Sequence, residues 1–305
     1  MACAQEVRLT TACQASFATF ETARTILTNR DDFIRALSPF DRSARMKVDR
    51  NVPEAEFLAF VAQNIIPWTT VETNRVSAAF LIVRQRLAPW NLPLPSTIPL
   101  IKTTGKEEGN ASYTRLNAVI LPQREVKGRV SEDLLLHELF HVLSRHNPNL
   151  REKLYRVVGF TPINEISYPG DLGPRKITNP DGVQSGWAIQ LTNHDQILSA
   201  VPILFASAAR YDPSKGGEFF DYLTFKLLVV ANQAGTWGAK LVENAPVLLD
   251  PQEAHGFFEQ VGRNTDYIIH PDEILADNFV KMINGATNLA TPRIVEKMTE
   301  LLKER

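Results

Sequence analysis

His137-Glu138-Leu139-Phe140-His141 is the stretch from which the rest of this chain is read. Two histidines four residues apart lie on one face of a helix. Their imidazoles can grip one divalent ion, most often zinc, while Glu138 reaches a water on that ion without ligating it. One turn of backbone then carries two ligands and a general base, the equipment of metal-assisted hydrolysis. The flanks predict a helix. Ser131 can cap it, and Glu132 and Asp133 complement the positive end of its dipole. Leu134, Leu135, Leu136, Leu139, Phe140, Val142 and Leu143 make it apolar over most of its surface, and Asn147-Pro148 stops it. The plainer reading is a core helix with two satisfied histidines. It fits poorly, because histidine and glutamate are costly on a buried helix without a partner such as a metal.

Outward from the motif the hydrophobic period changes. On the N-terminal side Ile98 to Thr103 reads as a strand, Gly105 to Asn110 as a loop and Ser112 to Leu121 as a second strand. Residues 1–95 read as a mainly helical region, with amphipathic runs at Phe17 to Leu27, Asp31 to Leu37, Pro53-Glu54 onward and Val71 to Leu87. The Pro-rich stretch Ala88 to Pro99 connects the two parts. On the C-terminal side residues 160–185 read as a long loop. Trp187 to Thr192 and Ile197 to Ala206 read as strands of a hairpin around Asn193-His194-Asp195. Glu218 to Val230 is apolar and undecided in state. Pro251 to Val261, Pro271 to Ile283 and Pro292 to Lys303 read as helices opened by proline. The pattern is α+β, without the alternation of a doubly wound sheet.

Composition narrows the class. The chain has 305 residues, 44% hydrophobic and 22% charged, with a formal charge of −1, as in an ordinary globular protein. No basic tract or aromatic-basic interleaving points to a nucleic acid, and the longest apolar runs are too short for a membrane span. Cys3 and Cys13 lie far from the histidine pair and cannot complete a cysteine-rich zinc cage. They read either as one disulfide or, slightly preferred, as two free thiols. No signal peptide is visible, so the expected location is cytoplasmic; the alternative is a secreted protein whose signal precedes this numbering.

A catalytic zinc wants three protein ligands and an open position, so one ligand must come from elsewhere. His146 follows His141 without the Gly that would let the chain turn back. Glu165 sits in a Gly/Pro-rich loop without helical support. Asp266 precedes Tyr267 and matches an aspartate-ligand site only loosely. Glu273 is the strongest candidate. It opens a helix in which Asp277 stands one turn on, placed to hydrogen-bond a ligand imidazole. The plainer reading of Glu273 and Asp277 is an exposed acidic pair at a helix N-terminus.

His137-Glu138-x-x-His141 followed by Glu273-x-x-x-Asp277 resembles the gluzincin metallopeptidases, the group typified by thermolysin. The resemblance implies a zincin-like fold: a small mixed sheet before the motif helix, and zinc, one per chain, on His137, His141 and Glu273. Asp277 would support a ligand from behind. Tyr267 resembles the tyrosine that lethal-factor-type relatives place just before their glutamate ligand, and by that likeness would hydrogen-bond the tetrahedral intermediate. The interval from His141 to Glu273 is 132 residues, much longer than in thermolysin. It implies a β-containing insertion at about 160–250 within a catalytic domain spanning 96–305. No G-x-M-E-N signature precedes the motif helix, which favours an endopeptidase or oligopeptidase over an aminopeptidase.

The expected mechanism is hydrolysis of a peptide or protein substrate by metal-activated water, with Glu138 as the proton carrier. Tyr267 or His255 would steady the oxyanion, although His255 and His194 read more simply as surface or packing histidines. Substrate is expected to add as a strand to the edge formed by Ser112 to Leu121, with Asn110, Ser112 and Tyr113 near the pocket. Two rivals stand: a non-catalytic binding protein on a zincin fold, against which the intact Glu138 argues, and a zinc amidohydrolase acting on a non-peptide substrate.

Overall fold

A computed structural model describes residues 6–193 and 196–303. His194 and Cys3 fall outside these residues, and with them the expectations about His194 and about a Cys3–Cys13 pair. Cys13 is buried.

The chain opens with a hairpin of β1 (Glu6–Arg8) and β2 (Gln14–Phe17). Five helices follow: α1 (Phe20–Leu27), α2 (Asp32–Ala36), α3 (Pro39–Arg45), α4 (Glu54–Gln63) and α5 (Thr70–Leu87). Then come β3 (Thr97–Thr103), a 3-10 turn at Lys106–Glu108, β4 (Tyr113–Arg115), β5 (Ala118–Pro122), a short α6 (Gln123–Val126) and the motif helix α7 (Glu132–His146). The hairpin β1–β2 adds two unanticipated strands to a region that is otherwise helical, as expected. Phe17 ends a strand, and Thr19 caps α1 by accepting from Thr22 N. Strands of three and four residues carry too little alternation to be seen in sequence.

β1 to β5 form one sheet in the order β1-β2-β3-β5-β4. β2, β3 and β5 are parallel, and β4 runs antiparallel to β5 as an edge. The single strand expected from Ser112 to Leu121 is therefore a hairpin. Its two-residue turn has Leu116 at φ 54° rather than the usual glycine or asparagine, which is why no turn is evident in the sequence. Alternating side chains supply two cores. Ile98, Leu100, Val119 and Leu121 face α5, α7 and two C-terminal helices, whereas Ile101 and Ile120 face α1, α2 and α4. Since β2 pairs with β3, residues on both sides of position 95 share this sheet.

After α7, Pro148 opens α8 (Pro148–Val157), a helix not anticipated in the sequence. The next stretch builds a second, antiparallel sheet in the order β10-β9-β8-β7-β6 from β6 (Phe160–Pro162), β7 (Trp187–Asn193), β8 (Gln196–Ala206), β9 (Leu223–Gln233) and β10 (Thr236–Ala239). The β7–β8 hairpin is as expected, and Glu218 to Val230 resolves into a 3-10 turn followed by a strand. The helix expected from Pro251 is only α9 (Phe257–Val261). Pro251 to Glu253 is a turn, and Gly256 enters the helix at φ 87°, a conformation that blocks helix through that point. The chain ends with α10 (Pro271–Ile283) and α11 (Pro292–Lys303), each with proline at its first position. Among the described residues no helix is long and apolar enough to cross a membrane.

One buried ion cluster joins distant parts of this α+β fold. The fully buried Arg45 guanidinium grips Glu108 through Nε and Nη2 at 2.9 and 2.7 Å, Asp41 at 2.5 Å and the carbonyl of Thr178 at 2.9 Å. Asp41 also accepts from Thr178 N and Oγ1. Removing the cation strands two carboxylates in the interior. Arg45→Met is expected to destabilise the protein by about 3–5 kcal/mol, read as a lower urea midpoint; an unchanged midpoint would refute the role given to this cluster.

Candidate metal centre

α7 is shaped by its own sequence. Ser131 Oγ accepts from Leu134 N at 3.2 Å, and the leucine-rich face is buried against β4, β5 and α10. His137 and His141 consequently project side by side, ring centroids 4.7 Å apart. α10 supplies the opposite wall. His270 caps it, its Nδ1 accepting from Asp272 N at 3.1 Å, so that the first turn enters the interior. Glu273 Oε2 then stands 3.1 Å from His137 Nε2 and 3.4 Å from His141 Nε2. One ligand atom from each of the three lies within 4.8 Å of the others.

The outer contacts fix the imidazoles. His137 Nδ1 donates to Asp277 Oδ1 at 3.0 Å, and Asp277 in turn accepts from Thr265 Oγ1. His141 Nδ1 donates to Asp272 Oδ2 at 2.7 Å. Asp272 Oδ1 accepts from Ser144 Oγ at 2.5 Å and from Tyr155 Oη at 2.8 Å. A hydrogen bond from each Nδ1 leaves each Nε2 lone pair for the space between the helices. Asn179 Nδ2 donates to Glu273 Oε1 at 2.5 Å, holding the carboxylate from the far side.

Two buried atoms at this site lack a hydrogen-bond partner among the described residues: His141 Nε2 and Glu138 Oε2. Buried polar atoms are rarely left so unless a ligand completes them. The donor set, two imidazoles and a carboxylate, suits zinc. Electrostatics agree. Burial alone would lower the His137 pKa, but hydrogen bonds to Asp277 and Glu273 outweigh it and push it up to about 10. His141 is likewise raised, against its burial, by Asp181, Glu273 and Asp272. Glu273 is held well below the usual carboxylate range by the two imidazoles, despite burial. The pocket thus attracts positive charge, which a dication supplies more strongly than protons. Glu138 is pushed the other way, to about 8, by burial and then by the charge of Asp181.

His137, Glu138, His141, Glu273 and Asp277 are all brought together, and Tyr267 stacks beside His137 with centroids 6.4 Å apart. All of these but the deeper His141 border one cavity of about 410 Å³, which Ser112 and Tyr113 also line and Asn110 does not. The remaining candidates lie elsewhere. Glu165 accepts from Ser185 N at 2.8 Å and joins no ligand cluster among the described residues. His146 and Asp266 are exposed. His255 is exposed and contributes only its carbonyl, accepting from Thr192 N at 3.0 Å.

Asp272, Asn179 and Asp181 escaped the sequence reading. In the sequence Asp272 is one more acidic residue at the start of α10. Only the depth of Tyr155 and Ser144, set by an unforeseen α8, gives it a role. Asn179 and Asp181 belong to a loop without periodicity. Comparisons with protein-family models, with curated proteins and with solved structures gave no match.

Glu273→Ala is expected to lower zinc affinity sharply, and Asp272→Ala and Asp277→Ala by roughly 10–100-fold each, in competition with a chelating dye. Glu165→Ala should bind like the wild type. An equal loss in Glu165→Ala would overturn the choice of third ligand.

Proposed function

We propose that this chain is a zinc-dependent peptidase of gluzincin type. The observation that carries the reading is the convergence of three ligand atoms with the buried Glu138, whose Oε2 has no partner among the described residues, at a cavity beside a sheet edge. The placement of α7 against the sheet and of α10 against α7 supports a zincin-like arrangement, with the second sheet as an insertion between ligands.

His137, His141 and Glu273 would hold the zinc, which supplies Lewis acidity toward a water and a substrate carbonyl. The chain's own groups do the rest. Asp277 and Asp272 keep both imidazoles oriented and electron-rich. Glu138 takes a proton from the attacking water and returns it to the departing amine. Its raised pKa suits both halves of that task near neutrality. Tyr267 stays protonated, since the charge of Glu273 and then burial raise its pKa, and it can donate a hydrogen bond to the oxygen on which negative charge develops. A peptide is favoured over another amide because β4 presents a strand edge at the cavity, where main-chain pairing can hold an extended chain.

Zinc-loaded protein should cleave members of a broad peptide library, with products identified by mass spectrometry, and a chelator should stop it. Glu138→Gln should keep its zinc and lose cleavage by several orders of magnitude. Comparable turnover in that variant would remove Glu138 from the mechanism. A metal-loaded wild type that cleaves no peptide would overturn the reading.

A further inference from the structure

The edge strand beside the candidate site is open for only one outward-facing residue. Thr114 N donates to Asp181 Oδ1 at 2.9 Å, so Thr114 turns its backbone outward, away from β5. Outward and inward residues alternate along an antiparallel strand. Ser112, two residues earlier, therefore faces outward too, and it lines the cavity. Past Ser112 the edge is sealed: Asp181 occupies the Thr114 donor, and buried Pro180 lies beside it. Pro180 and Asp181 border both this cavity and a smaller one behind it, and so form the partition between the two.

The partition is built in. Thr178 is bound to Asp41 and Arg45, Asn179 to Glu273, and Asp181 N donates to Asn179 Oδ1 at 3.0 Å. Both hydrogen bonds from Thr114 fall on Asp181 Oδ1, and Arg145 Nη2 is 3.6 Å from that same oxygen. Oxygens of Asp181 and Glu138 and a nitrogen of His141 lie within 4.8 Å of one another. Glu138 is 3% exposed and its Oε2 is unpartnered. Two facing carboxylates, Glu138 buried and Asp181 half-buried, favour a cation between them. A second metal ion is disfavoured, because the His141 nitrogen facing this space already belongs to the first cluster and Nδ1 is bound to Asp272.

We propose that Asp181 binds the free α-ammonium of the substrate, so that the chain removes residues from the amino terminus of peptides. The proposal rests on the peptidase reading and departs from the endopeptidase expected in the absence of a G-x-M-E-N signature. A peptide paired antiparallel to β4 runs its amino-terminal end toward Thr114 and stops at Asp181. A carboxylate there attracts an amino terminus and repels a carboxyl terminus. A substrate able to pair only at Ser112 presents its first bonds to Glu138.

A leucyl peptide and its N-acetyl form, incubated with zinc-loaded wild type, test this directly. Residues should leave stepwise from the free amino terminus, and acetylation should lower kcat/KM by about 100-fold or more. Asp181→Asn, which retains an acceptor for Thr114, should reduce that discrimination to below about tenfold with zinc content unchanged. Calorimetry supplies a readout without turnover: L-leucinamide should bind wild type more tightly than N-acetyl-L-leucinamide, and Asp181→Asn should erase the difference. Equal cleavage of both peptides at internal bonds would overturn the proposal and leave the peptidase reading intact. Amide discrimination without cleavage would do the reverse. Two zinc ions per chain, the second lost in Asp181→Asn, would also overturn it.

Discussion

The Asp272 carboxylate holds the site and much of the interior together. It is buried and takes hydrogen bonds from three side chains, Ser144 and His141 of α7 and Tyr155 of α8, while sitting in the first turn of α10. A charge at that depth is tolerable only because its lone pairs are used. The hydrogen bonds that satisfy it also set the crossing of three helices and the rotation of the His141 ring. Its pKa stays below the usual carboxylate value because these hydrogen bonds and the His141 charge outweigh burial. Folding and site geometry are thus the same event on this side of the cavity.

The other side depends on Arg45. Its cluster brings α3, the turn at Lys106–Glu108 and the loop at Thr178 to one point. From Thr178 the chain has only three residues to reach Asp181, so Asn179 falls on Glu273 and Asp181 on the strand edge. The ring of Phe219, beside the cavity, lies 4.2 Å from the guanidinium carbon. A cation near the amino-terminal third therefore shapes the wall contributed by the second sheet.

How much of this was legible depends on where the information lies. The helices α5, α7, α10 and α11 are periodic and bounded by caps or prolines, and each is where its residues predict it. His137, Glu138 and His141 are local to one turn, and Glu273 with Asp277 to another, so their spacing shows in the chain. What stayed hidden is nonlocal or conformationally unusual. β1 and β2 are too short to show a period, Leu116 turns where no turn residue stands, and Gly256 interrupts a stretch that otherwise reads as helix. Asn179, Asp181 and Asp272 gain their roles only from neighbours dozens of residues away.

The wide separation of the two halves of the candidate ligand cluster bears on how the molecule comes into being. During synthesis His137 and His141 leave the ribosome well before Glu273, and the entire second sheet is made in between. A nascent or truncated chain ending before Pro271 has neither the glutamate nor the two aspartates that orient the imidazoles. The cluster cannot assemble until α10 docks, a long-range and therefore late closure. Synthesis and docking of α10 are themselves the steps that complete the candidate cluster.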